Sequence, residues 1–207
     1  MTTLAIRDAT IRRGIRLGYV TILYNSFEAI GSLVAGVLAG SVALVGFGAD
    51  SVIEVVAAIA AQWRLRADVR EDRRTIVERA THRIVGVSFL ALAAYISIDS
   101  ALALLNRDAP EKTLFGITVL VLSIIVMPLL ASAKTKVAHG IGSKALRAEA
   151  RQTSLCAWLS VIALAGVGLN ALLGWWWADP LAALGMVPII LKEGIAGVRA
   201  KEDHDCC

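Results

Sequence analysis

The stretch Val42-Ala43-Leu44-Val45-Gly46-Phe47-Gly48-Ala49-Asp50-Ser51-Val52-Ile53-Glu54-Val55-Val56-Ala57-Ala58-Ile59-Ala60-Ala61-Gln62-Trp63 decides the fold. It is apolar or small throughout, except for two carboxylates and one amide. About 20 such residues in a helix cross the hydrocarbon of a bilayer. Its surroundings agree. Over 207 residues the chain is 57% hydrophobic and 18% charged, with a mean hydropathy of +0.69. Soluble domains sit near 45–50% apolar and about 25% charged. This chain carries too little charge to cover a soluble surface. The apolar content excludes disorder, and three cysteines are too few for a disulfide scaffold.

Five further apolar runs flank this one. The spans fall at residues 17–39, 42–63, 84–105, 114–133, 148–173 and 181–198. The fold class is therefore all-α, a polytopic membrane protein with a bundle of six transmembrane helices over residues 17–198. Residues 1–16 form a basic lead-in, and 199–207 a short polar tail. The first run is too long for the apolar core of a signal peptide, and nothing suggests cleavage. Gly40-Ser41, Asn106 to Pro110, and Trp175-Trp176-Trp177 with Asp179-Pro180 mark tight turns. Ser32, Gly36 and Gly40 recur at a spacing that lets helix backbones approach closely.

The basic residues sort by side. Four lie in the lead-in, and seven run from Arg64 to Arg83. Lys134, Lys136, Lys144, Arg147 and Arg151 follow the fourth span, and Lys192, Arg199 and Lys201 lie at the end. Only Arg107 and Lys112 fall in the opposite loops. By the positive-inside rule both termini are cytoplasmic, in a cell (inner) membrane crossed an even number of times. The three tryptophans then sit at the outer interface as an aromatic belt. The net charge of +4 and pI near 9.2 thus mark topology, and point to the lipid bilayer as partner, not to nucleic acid.

A carboxylate near the bilayer centre costs roughly 2.5–3.5 kcal/mol on insertion scales, so each one needs a reason. Asp50 and Glu54 stand four apart and share one helix face. Two carboxylates this close repel in apolar surroundings. A divalent cation relieves the repulsion, and protons can replace it on departure. Gln152 and Cys156 repeat the four-residue spacing on the fifth span. An amide oxygen and a thiolate would complete a four-ligand site suited to a tetrahedral, borderline-soft ion such as zinc. Asn25 and Glu28 share a face of the first span, there to line the pathway, to accept protons, or to pack through hydrogen bonds. Asp99 lies near the outer end of the third span, to mark an exit or to pair with Lys112. Asp179 before Pro180 reads as an N-cap with proline at the first helical position. The tail holds His204, Cys206 and Cys207 beside carboxylates, a composition that suits metal capture or an unstructured end.

These residues resemble the cation diffusion facilitator family. Gly40-Ser41-Val42-Ala43-Leu44 leading to Ala49-Asp50-Ser51-Val52-Ile53-Glu54 is similar to its second helix. Ala145-Leu146-Arg147-Ala148-Glu149-Ala150 leading to Gln152 and Cys156 is similar to its fifth, and Asp179-Pro180 to the start of its sixth. The resemblance covers about residues 18–198. It implies export of zinc or a related divalent metal in exchange for protons, by a homodimer. It also implies a site with an acidic pair on helix two and a His/Asp pair on helix five. Gln152 stands in place of that histidine and Cys156 in place of that aspartate. The chain looks like the membrane-only kind, without the family's C-terminal cytoplasmic metal-sensing domain. A metal-binding membrane sensor or scaffold without transport is the rival reading. An enzyme is not expected, because the histidines His82, His139 and His204 all lie outside the spans.

Overall fold

The structure, a computed structural model, describes residues 2–66, 71–142 and 144–199. The described residues are all-α and form six helices: α1 (Thr2–Ala39), α2 (Val42–Arg66), α3 (Glu71–Asn106), α4 (Leu114–Ile141), α5 (Lys144–Leu173) and α6 (Ala178–Arg199). Each is long and apolar enough to cross a membrane, and the chain is a multi-pass membrane protein. All six helices run past the apolar segments expected from hydropathy, α1, α3 and α4 the furthest. The basic lead-in is the first part of α1, and α3 begins at Glu71, thirteen residues before its apolar run. Charged side chains do not end a helix whose backbone is satisfied internally. Glycine and caps do.

The helix ends follow that chemistry. Gly40, Gly142 and Gly174 hold φ near +65 to +70°, a left-handed turn that costs glycine little. Ser41 caps α2, its Oγ accepting from Leu44 N at 3.1 Å. Thr113 caps α4 in the same way through Gly116 N.

The connections at one end are tied together. Glu111 N donates to Ala39 O (2.7 Å), and Asn170 Nδ2 donates to Pro110 O (2.8 Å). Ser41 Oγ donates to Asp179 Oδ1 at 2.6 Å, and Ala43 N reaches Oδ2 at 3.4 Å. Asp179 was expected to cap its own helix. Instead it lies inside the first turn of α6 and caps the start of α2, where a carboxylate meets the positive end of the helix dipole. At the opposite end, Gln62 Nε2 donates to Ile15 O (2.5 Å). There Val137, Ala138 and Leu146 form a small apolar cluster with Leu17.

Lipid tails are as apolar as leucine, so close backbone approach holds such a bundle together more than the hydrophobic effect does. The α1–α2 seam shows this. A Cβ on Gly48 would lie 2.9 Å from Leu33 N, and one on Gly36 would lie 2.8 Å from Val45 N. The stripe of small residues on α1 is therefore the surface that receives α2. A second seam joins α3 to α6 through Gly86 and Gly194. Helices α1, α2, α4 and α5 pack around a common interior, which α3 and α6 flank through α2 and α5. Large apolar side chains such as Phe27, Leu38, Ile98, Leu105 and Leu129 remain exposed, as lipid-facing groups must.

Candidate functional site

The interior of the bundle is polar at one level. On α1 the buried face carries Thr21, Asn25, Glu28 and Ser32, all 3% exposed or less. These residues are spaced three or four apart and form one stripe. On α2 the buried face carries Asp50, Ser51 and Glu54. On α5 it carries Glu149, Thr153, Cys156 and Ser160. The close α1–α2 seam brings the first two stripes into contact. Ser51 Oγ donates to Glu28 Oε2 at 2.9 Å.

Cys156 Sγ lies 3.8 Å from the same Glu28 oxygen and beside the Asp50 carboxylate. Glu54 is reached from α5 by a different residue: Thr153 Oγ1 donates to its Oε1 at 2.5 Å. Asp50 and Glu54 from α2 and Cys156 from α5 are thus buried in the same interior, and Glu28 from α1 is buried there with them. Gln152 is only partly buried, and its Nε2 has no hydrogen-bond partner. Both polar atoms of the Asn25 side chain are likewise buried without a partner, as are Glu28 Oε1 and Glu54 Oε2. Unpaired buried polar atoms are costly. Glu28 and Glu54 thus each keep one oxygen that could accept a further contact. Among the described residues, no three His, Cys, Asp or Glu side chains converge closely enough to chelate an ion as they stand. His204, Cys206 and Cys207 lie outside the described residues.

The model of the cation efflux transmembrane domain matches residues 19–200. The chain belongs to the cation efflux family. Among curated proteins it is 26% identical over 163 residues to the uncharacterized transporter sll1263 of Synechocystis sp., covering 76% of this chain and 53% of that one. It is 27% identical over 168 residues to the magnetosome protein MamB of Magnetospira sp., covering 78% and 57%. The chain spans little more than half the length of these relatives.

For a cation efflux protein, the groups around the acidic cluster matter as much as the cluster. Lys134, placed with the topology-setting charges from its position in a basic stretch, is wholly buried on α4. Its Nζ lies 2.9 Å from Glu149 Oε1 and donates to Thr153 Oγ1 at 2.8 Å. The sequence carries a signal for this. Leu120, Ser123, Met127, Leu130 and Val137 are buried at intervals of three and four, and Lys134 falls on that register. Thr153 was missed for a similar reason. The buried register of α5 runs through Glu149, Thr153, Cys156 and Ser160 and passes beside Gln152. Asp99, at the edge of the bundle, accepts from Tyr95 Oη one turn back at 3.1 Å.

Proposed function

We propose that this cation efflux protein exports a divalent metal cation, zinc or an ion of similar softness, in exchange for protons. The supporting observation is the gathering of Glu28, Asp50, Glu54 and Cys156 from three helices, all at most 4% exposed, in a membrane interior where each ionisable group is costly. Three carboxylates in one apolar interior repel one another. A divalent cation, or protons in its absence, relieves that repulsion, and this alternation couples the two fluxes. Small rotamer changes bring the groups into coordination. Asp50, Glu54 and Cys156 bind the ion, with either Glu28 or Gln152 available as the fourth ligand. A thiolate among oxygens favours zinc or cadmium over manganese and magnesium. The bundle rocks about this fixed site, exposing it to each side in turn. Both termini face the cytoplasm of a cell whose inner membrane the protein crosses, and it works as a homodimer.

Zn2+ uptake into inverted vesicles tests this reading. The wild-type chain accumulates Zn2+ driven by an inside-acid proton gradient, and Asp50→Ala reduces the rate at least about tenfold, because a removed ionic ligand is worth more than one neutral hydrogen bond. Uptake unchanged in Asp50→Ala sinks the proposal. Binding without uptake favours the sensor or scaffold.

A further inference from the structure

A buried ion pair adds little to stability, because desolvating both charges offsets their attraction. Lys134 and Glu149 therefore need a reason beyond joining α4 to α5. Their surroundings supply one. The Lys134 ammonium touches Glu149 Oε1 and the Thr153 hydroxyl. That hydroxyl passes its own proton toward Glu54 Oε1, while Glu54 Oε2 stays buried without a partner. The lysine charge is thus one hydroxyl away from Glu54. Glu149 lies one helical turn beyond Thr153 on α5, on the side away from Cys156. The ammonium has two anionic partners: Glu149 directly, and Glu54 through Thr153.

We propose that Lys134 is a tethered cation that competes with the transported metal ion for Glu54, and that Glu149 sets the strength of that competition. With an ion on Glu54, the two positive charges repel and the ammonium is held by Glu149. As the ion leaves, the ammonium leans on Glu54 through Thr153 and opposes recapture. Lys134 is a positioning residue in this scheme: it touches no ion, yet it lowers the affinity of one carboxylate that does. A binding site inside a transporter has to release its cargo, and a flexible lysine beside the site supplies a rival that never diffuses away. Glu28 and Asp50, which face the same interior, keep their attraction for the ion throughout. The inference rests on the transport reading above.

The test uses the full chain in lipid nanodiscs, with Zn2+ as the probe and calorimetric titration as the readout. Lys134→Met binds Zn2+ about tenfold more tightly than wild type, and Glu149→Gln binds it about tenfold more weakly, as expected for one charge added or removed near an ion at an effective dielectric near 20. Lys134→Met with Glu149→Gln also binds more tightly than wild type, because the lysine is linked to Glu54 through Thr153, whereas the Glu149 carboxylate is linked to it only through the lysine. A purely structural pair behaves differently: every substitution in it weakens binding or leaves it unchanged. Equal or weaker affinity in Lys134→Met overturns the proposal, and where that variant does not fold, the same result in the double variant does so. If the wild-type chain binds no Zn2+, the transport reading fails and carries this inference with it. Opposite signs for the lysine and glutamate variants support the proposal.

Discussion

Cys156 is the residue whose chemistry most narrows the cargo. It is 1% exposed, lies 3.8 Å from a carboxylate oxygen of Glu28, and stands beside Asp50. A serine there keeps the volume and offers an oxygen where sulfur was. Hard ions accept that exchange and soft ions do not. Cys156→Ser therefore weakens Cd2+ and Zn2+ binding by about tenfold or more and Mn2+ by about twofold or less, on the softness order of these ions. Titration of a metal panel against both chains checks it, and equal losses across the panel would remove Cys156 from the ligand set. Asp50 and Glu54 could be singled out in the sequence because each interrupts an apolar run, and Cys156 because it stands four residues from Gln152 on the fifth span. Glu28 was visible for the same reason as Asp50 and Glu54 but not its role, since nothing in α1 alone shows that Ser51 and Cys156 will meet it. Lys134 and Glu149 were hidden among charged neighbours. In a basic stretch, one buried lysine reads like its exposed companions until helical register separates them.

Two helix pairs divide the work at the level of elements, and glycines in each separate packing from site geometry. On Gly48 a Cβ would meet Leu33 N at 2.9 Å, and on Gly86 one would meet Val198 N at 2.7 Å. In both cases the obstacle is backbone and does not rotate away. Each alanine forces its helices apart, at about 1–3 kcal/mol for overpacking. Gly48→Ala and Gly86→Ala should thus lower the thermal midpoint of unfolding to a similar degree. Their effects on ion binding differ. The α1–α2 seam sets the 2.9 Å contact between Ser51 and Glu28, so Gly48→Ala also weakens Zn2+ binding. The α3–α6 seam supplies none of Glu28, Asp50, Glu54 or Cys156, and Gly86→Ala leaves affinity within about twofold while losing stability. Parallel loss of affinity in both variants would mean that the flanking pair shapes the site directly. Helix existence was legible from hydropathy alone. Helix length was not, because α1, α3 and α4 continue through charged residues that hydropathy treats as boundaries. Partner choice was legible only where small residues recur, as on α1.

For the whole molecule the open matter is orientation, and charge placement argues it. Burial of Lys134 removes one positive charge from the side-sorting set, since a lysine held by Glu149 and Thr153 inside the bundle does not face the headgroups. The asymmetry survives that loss: Arg107 and Lys112 remain the only basic residues in the loops tied together around Asp179. Positive charge resists translocation, so the orientation we propose keeps the end holding Gln62 and Ile15 inside. Trp175 and Trp177, stacked with ring centroids 5.1 Å apart, then lie at the outer headgroup level, where indole rings are favoured. Lys112 and Lys136 are exposed at opposite ends of α4 and report the orientation directly. In a chain with Cys206 and Cys207 changed to serine, Lys112→Cys is labelled by a membrane-impermeant thiol reagent added to intact cells. Lys136→Cys is labelled only after permeabilisation, while buried Cys156 stays silent in both. The opposite pattern would place the basic end outside.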